Sequence, residues 1–352
     1  MNSFLNRISI QEKIMFAKRL AIMVKAGVPL LDSLRILSNN TGSRAASRIF
    51  SKITKDVERG QFLATSMKSF RNIFGDFAVN VIHVGETTGT LEENLEYLAE
   101  ELRKRQELRR KVVGAMVYPV IVVTATLALS VLLTVFIFPK ILPIFASFKF
   151  KLPLATRMLI FISGIFANFG IYILLGLVAL IALFIFLRRM PGFRIVMDGI
   201  VLRVPIFGRL LQSYHMANFC RTLGLLLKSQ ILVVEATRIA GNTVNNLVYR
   251  KEIEKMAQGL IKGGKISTHL AKRKKIFPSI VTQMVAVGET TGNLSETLLF
   301  VAELYEKEVD MITKNLSTTL EPALMIMIGA LVGFIAISII TPIYEVTQYI
   351  NP

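Results

Sequence analysis

Five consecutive residues occur twice in this chain: Gly85, Glu86, Thr87, Thr88 and Gly89 return as Gly288, Glu289, Thr290, Thr291 and Gly292. The second copy of this GETTG motif lies 203 positions after the first. The same offset relates residues far on either side of it, from Phe16 with Phe219 to Pro139 with Pro342. An ungapped correspondence of this length indicates a duplicated module. The chain is therefore predicted to contain two copies of one structural unit.

The residues after each GETTG motif predict the start of a helix. Thr90 and Glu93 have the spacing of a capping box, in which each residue satisfies an exposed backbone amide of the other. Asn293 and Glu296 take these positions in the second copy, and asparagine is also a good N-cap. We expect the glycines to form a tight turn after a helix that ends near Val84. The motif is then a helix–turn–helix corner, and it is also a candidate surface for a partner.

Three long uncharged segments account for the 53% hydrophobic content, which is high for a soluble protein. Residues 112–138, 158–187 and 322–344 contain no Lys, Arg, Asp, Glu or His. A membrane-spanning helix needs about 20 apolar residues, so each segment is predicted to cross a bilayer. Outside them nothing alternates like a strand. The predicted fold is an all-α polytopic membrane protein with two homologous helical bundles and three transmembrane helices.

The distribution of charge predicts which side of the membrane each part occupies. Residues 1–111 carry 19 basic and 12 acidic side chains, and residues 188–321 carry 19 and 11. The positive-inside rule therefore places both bundles and the N-terminus in the cytoplasm. The short loop 139–157, despite its four basic residues, and the tail 345–352 are predicted to lie outside. The middle span returns the chain to its original side, so the modules can be related by an axis along the membrane normal.

Prolines lie at both ends of the first and third spans. Pro119 and Pro322 occur where these helices are predicted to enter the membrane, and Pro139 and Pro342 follow about 20 residues later, roughly one hydrocarbon thickness at ~1.5 Å per residue. Because proline lacks a backbone donor, we expect a bend at each point where a helix enters the membrane. The helix after each GETTG motif is predicted to continue into its span.

No group of residues indicates catalysis, a cofactor or a metal. Residues 259–265 have the spacing of a phosphate-binding loop, but Ile266 stands where Ser or Thr is needed, and a helix is predicted before it. The three histidines have no ligand spacing, and Cys220 is the only cysteine. Glu86 and Glu289 could bind a cation or a partner's arginine, although such carboxylates are usually solvated or paired. The basic residues near the spans favour anionic lipid headgroups over nucleic acid as a partner.

The segment from Lys111 to Pro139 contains Tyr118-Pro119, Thr126 and Ile137-Phe138-Pro139. It resembles the signature of the GspF/PilC family, the inner-membrane platform proteins of type II secretion systems and type IV pili. The doubled GETTG motif and the three spans are also similar to that family, and the resemblance extends from about residue 10 to the end. Many members carry an additional segment before the first bundle, whereas this chain begins almost directly at it. That difference leaves open whether the contacts of such a segment exist here.

The resemblance implies two six-helix cytoplasmic bundles, self-association and no enzymatic activity. It also implies coupling of a hexameric cytoplasmic ATPase to the insertion or withdrawal of pilin or pseudopilin subunits, alongside other assembly proteins of the bacterial inner membrane. Pilus, secretion and competence machines remain open. The alternative is a small-molecule or ion transporter built on a parallel repeat. A transporter predicts polar residues buried in the spans and helices broken at the membrane midplane.

Overall fold

The computed structural model describes residues 8–137, 139–140, 153–188, 190–205 and 207–350. Within these ranges every regular element is a helix, which confirms the predicted all-α class. Most of the predicted outer loop 139–157 lies outside the described residues, as do residues 1–7 and the last two residues of the tail.

The first module consists of seven helices, six of which recur later in the chain. They are α1 (Ile10–Lys25), α2 (Leu30–Asn39), α3 (Arg44–Glu58), α4 (Leu63–Lys68), α5 (Arg71–Phe74), α6 (Asp76–Thr88) and α7 (Leu91–Leu132). Local sequence signals set several of their ends. Ser9 and Glu12 form a capping box at the start of α1, and Ser43 caps α3. Gly60, with φ +85°, ends α3 in a conformation that favours glycine.

The second module repeats these helices at the predicted offset of 203 residues. After α8 (Leu154–Leu187) and α9 (Pro191–Val201) come α10 (Phe207–Lys228), α11 (Val233–Thr243), α12 (Leu247–Ile261), α13 (Ile266–Ala271), α14 (Ser279–Thr291) and α15 (Leu294–Ile350). Helices α12, α13 and α14 begin and end at the positions that correspond to α3, α4 and α6. Only the single-turn α5 has turns in its place, at residues 272–276. Apart from the single-turn α5, each module is therefore a bundle of six helices, the number that the resemblance implied.

An aromatic cluster forms the centre of each bundle. The ring of Phe16 stacks on Phe50 with centroids 4.7 Å apart and lies 5.7 Å from Phe74. In the second bundle Phe219 and Phe277 take the positions of Phe16 and Phe74, and their centroids are 6.5 Å apart. The third ring there is Tyr249, from the helix that corresponds to the one carrying Phe50. The buried periodic residues of the amphipathic helices thus build the same core twice.

The chain divides into two compact units, and the long helices α7 and α15 contribute to both. One unit consists of Met1–Lys111 and Met197–Met311, and the other of Val112–Val196 and Ile312–Pro352. The first unit contains both six-helix bundles. Within it α10 and α11 pack against α6, so the second bundle contacts the first through its first two helices.

Three helices of the described residues, each with its apolar part in the second unit, are long and apolar enough to cross a membrane. These stretches are Leu91–Ile137, Asn168–Leu187 and Leu324–Thr341. The first of these helices changes from α-helical to π-helical geometry over Leu133–Ile137. Single π-helical turns of this kind are rare and occur mostly inside α-helices. The number of spans agrees with the prediction from hydropathy.

Buried hydroxyl groups connect these apolar helices. Ser163 donates its hydroxyl to the carbonyl oxygen of Thr134 at 2.9 Å, and Thr156 donates to that of Ser338 at 2.9 Å. Ser338 in turn donates to Phe334 in its own helix at 2.7 Å. Small polar residues of this kind hold transmembrane helices together. Polar residues are therefore buried among the apolar helices, and these hydroxyl groups bond to the helix backbone.

Candidate functional site

The first GETTG motif forms the last turn of α6 and the joint to α7, and the second does the same between α14 and α15. The prediction that the preceding helix ends near Val84 was wrong, because α6 continues through Gly85 to Thr88. The motif is thus mostly helical, and only its final glycine leaves the helix. Gly89 and Gly292 have φ values of +75° and +74°, the left-handed conformation in which glycine commonly ends a helix.

The glutamate of the first motif caps a different helix. Oε1 and Oε2 of Glu86 accept the backbone N–H groups of Leu63 at 2.6 Å and Ala64 at 2.8 Å. These are the first two residues of α4, whose own N-cap, Phe62, provides no side-chain hydrogen bond. The first amides of a helix have no partner within it. Glu86 supplies that partner from a position more than 20 residues later in the chain.

The glutamate of the second motif makes the same connection. Glu289 accepts the backbone N–H groups of Ile266 at 2.6 Å and Ser267 at 3.2 Å, and also the Ser267 hydroxyl. Its target α13 likewise has an N-cap, Lys265, without a side-chain bond. Both oxygens of each carboxylate are therefore already engaged with protein donors. Among the described residues, no group of three or more His, Cys, Asp or Glu side chains is placed to hold a metal ion.

The first glycine of each motif allows two helices to approach closely. A Cβ atom on Gly85 would lie 3.0 Å from Cα of Leu91 and 3.0 Å from Cβ of Asn94. On Gly288 it would lie 2.9 Å from Cα of Leu294. The predicted turn role of this glycine was wrong, since it lies inside a helix, and its small size lets the next helix pack directly against the backbone.

The threonines are the exposed part of the motif, and their hydroxyls bond locally. Thr88 donates to the carbonyl of Val84 at 2.8 Å, and Thr290 and Thr291 donate to residues four positions earlier at 2.6 and 2.9 Å. Such bonds satisfy the hydroxyl within its own helix. Thr87 and Thr88 line a cavity of about 590 Å³ that Leu225 and Lys228 of the second bundle help to form. The two corners therefore differ, because the first faces the other bundle.

The helix starts after the motifs were predicted correctly, but their capping is different. Thr90 shares a 2.7 Å hydrogen bond with Thr88 and accepts from the Asn94 amide at 2.9 Å. In the second copy Asn293 donates its side-chain amide to Glu296 at 2.7 Å. Side-chain pairs thus take the place of the predicted reciprocal boxes at these two starts.

Pro119 and Pro322 lie inside α7 and α15, and neither interrupts its helix. A single missing donor removes one backbone hydrogen bond, which a long helix tolerates at the edge of an apolar segment. The predicted continuity between the bundle helices and the apolar segments is therefore observed at both prolines.

A buried charge cluster between the two bundles was not anticipated. Glu101, 3% exposed, pairs with Arg105 at 2.7 Å, and Arg105 donates to the Thr222 hydroxyl of the second bundle at 2.7 Å. Arg221, 6% exposed, makes two hydrogen bonds to Glu306 at 2.5 and 2.6 Å. Burial raises the pKa of Glu101, and the nearby arginines oppose that effect. The only sequence signal was the position of these charges on otherwise apolar helix faces.

The comparisons with known proteins agree with this duplicated architecture. The family model described as type II secretion system (T2SS), protein F matches residues 16–139 and 219–342, two ranges separated by the same 203 positions. A type IV pilus assembly protein PilC of Thermus thermophilus is 36% identical over 331 residues, 94% of this chain and 81% of that protein.

Relatives of two kinds occur in Pseudomonas aeruginosa. A type IV pilus assembly protein PilC is 30% identical over 96% of this chain and 90% of its own length. A type II secretion system protein F is 30% identical over 99% of this chain and 86% of its own length. The chain therefore belongs to the GspF/PilC family of type II secretion and type IV pilus assembly proteins.

Proposed function

We propose that this protein is a non-enzymatic platform of the bacterial inner membrane that couples a cytoplasmic assembly ATPase to the insertion or withdrawal of pilin or pseudopilin subunits. The names of its relatives support a place in pilus or secretion machinery. One structural observation carries the coupling role. In each module a helix begins at the GETTG corner and continues, without a linker, into an apolar segment long enough to cross a membrane.

The proposed topology places residues 1–111 and 188–321 in the cytoplasm. The spans are residues 112–138, 158–187 and 322–344, and residues 139–157 and 345–352 lie outside. The excess of Lys and Arg in the two large regions supports this orientation. Basic side chains near Lys111 and Arg188 would contact anionic lipid headgroups.

The proposed partners divide between the two parts of the chain. The bundles would bind the hexameric ATPase and other assembly proteins, and the spans would contact pilin or pseudopilin helices. Copies of the chain would also self-associate. Because both motif glutamates cap helices, a partner at a GETTG corner would meet the threonines, which are exposed in both motifs. Neither a cofactor nor nucleic acid has a place in this proposal.

Interrupting α7 near Arg109 tests the coupling role. Seven glycines inserted after Arg109 should leave the protein in the membrane but abolish surface filaments, or secretion, because a flexible segment cannot transmit force. Seven alanines are the matched control, since they add about two helical turns and keep the helix faces nearly in phase. Filament assembly should be retained better by the alanine insertion, and equal assembly in the two variants would refute rigid transmission.

A further inference from the structure

One helix face is buried in the second bundle and exposed in the first. Arg221 and Thr222 of α10 are 6% and 0% exposed, and Leu225 and Ile239 are 5% and 6% exposed. Their counterparts 203 positions earlier are Lys18, Arg19, Ile22 and Ile36. All four are exposed, and the apolar Ile22 and Ile36 reach 56% and 47%.

The first bundle covers this face in the second one. Arg105 of α7 donates to Thr222 at 2.7 Å. Leu225 shares a cavity with Val84 and Tyr97, and Ile239 shares another, of about 560 Å³, with Val79 and His83. The α10–α11 face thus packs against the α6–α7 face within one chain. In the first bundle, the exposed residues that correspond to the α10–α11 face are Lys18, Arg19, Ile22 and Ile36. We call this surface the α1–α2 face.

The counterpart of the covering surface is also exposed. Val84 and Tyr97 correspond to Val287 and Phe300, which are 53% and 57% exposed. Together with the half-buried Leu304 and Glu308, the counterparts of Glu101 and Arg105, they form what we call the α14–α15 face. Exposed apolar side chains grouped in this way mark interaction surfaces. One chain therefore exposes a second copy of each of the two surfaces that contact each other inside it: the α1–α2 face and the α14–α15 face.

The charges of the two exposed faces are complementary. On the α1–α2 face Lys18 and Arg19 are basic, whereas on the α14–α15 face Glu308 is acidic. The internal hydrogen bond between Arg105 and Thr222 maps onto Glu308 and Arg19, an oppositely charged pair. Complementary charge fixes register and suppresses wrong partners. It also argues against two α1–α2 faces meeting each other, because both are basic.

We propose that the α1–α2 face of one copy binds the α14–α15 face of a second copy, in the arrangement that the two bundles adopt within a single chain. This inference rests on the self-association in the proposed function and assigns a surface to it. Such a head-to-tail contact leaves one free face at each end, so it either closes into a ring or extends.

Mixed cysteine variants of the full-length protein in membranes test the pairing. Chains with Ile22→Cys are combined with chains with Phe300→Cys and treated with a short bis-maleimide. Wild-type chains serve as background, because Cys220 is 0% exposed and burial raises its pKa to about 12. Lys55→Cys, an exposed position on α3, replaces Ile22→Cys as the matched control. We expect the 22–300 dimer to exceed the 55–300 dimer at least tenfold.

Charge reversal at the predicted pair provides the second measurement. Arg19→Glu and Glu308→Arg should each lower the 22–300 yield by roughly fivefold, the effect of about 1 kcal/mol at a rim ion pair. The two reversals together should restore it. Preferential 22–22 or 300–300 dimers would overturn this surface while leaving self-association intact. A chain that stays monomeric would overturn both.

Discussion

Replacing Glu86 by alanine should release the start of α4. The substitution removes the acceptor of two backbone amides, at 2.6 and 2.8 Å. A hydrogen bond to a charged group contributes about 1.5–3 kcal/mol net, and water reaches the freed amides in part. We therefore expect local destabilisation by about 2–4 kcal/mol. Glu86→Gln should cost about half as much, because the amide retains one acceptor oxygen and turns a donor toward the other N–H.

The second motif should respond more strongly than the first. Glu289 also accepts the Ser267 hydroxyl, whereas the counterpart of Ser267 in the first bundle is Ala64. Glu289→Ala should therefore cost about 1 kcal/mol more than Glu86→Ala, the contribution of one further hydrogen bond. In a Ser267→Ala background that difference should disappear.

Hydrogen exchange of the full-length protein in detergent measures these effects directly. In the Glu86→Ala variant, the amides of Leu63 and Ala64 should exchange roughly thirty to several hundred times faster, at about 1.4 kcal/mol per tenfold change. Glu93→Ala is the matched control, since Glu93 is exposed at the same corner. If both variants exchange at the wild-type rate, Glu86 does not cap α4, and the motif glutamate must be explained by a partner.

Three further substitutions test packing, burial and charge. Gly288→Ala should destabilise the second bundle by about 1–3 kcal/mol because its Cβ would meet the backbone of α15, whereas Gly259→Ala, in open space within a helix, should be neutral or stabilising in thermal unfolding. Burial lowers the pKa of His215 to about 4 from 6.5, so protonation favours the unfolded state as the pH falls below 6.5. Between pH 7 and pH 5 the wild type should lose about 2 kcal/mol more stability than His215→Phe in denaturant titrations. Arg221→Met, which leaves the partly exposed Glu306 without its partner, should lower the melting temperature by an amount equivalent to about 1.5–3 kcal/mol, and Lys18→Met at the exposed counterpart by less than about 0.5 kcal/mol.

The repeat made much of the fold predictable. Hydropathy located three spans, and an offset of 203 residues placed the later helix ends, so that α12 matches α3. Local signals failed where packing outweighed propensity. Gly85 suggested the end of a helix, yet α6 continues through it because α7 packs against its bare backbone. The sequence alone does not distinguish a glycine that ends a helix from one that lets a neighbouring helix pack closely.

The site depended on contacts that no local pattern encodes. The partners of Glu86 lie more than 20 residues earlier, in a helix whose start offered no unusual residue. Arg221 and Lys18 occupy the same repeat position, yet only Arg221 is buried. That difference arises because one bundle covers the other, which a sequence repeat does not specify.

Cysteine accessibility in intact cells tests the central claim, that both modules lie on the cytoplasmic side. Lys55→Cys and Gln258→Cys occupy equivalent exposed positions in the two bundles. Ser147→Cys, in the predicted outer loop, is the positive control. With a membrane-impermeant maleimide applied from outside, we expect labelling at position 147 alone, and labelling at 55 and 258 only after the cells are opened. If either bundle position reacts in intact cells while the other is protected, the two modules face opposite sides, and a common cytoplasmic mount is contradicted.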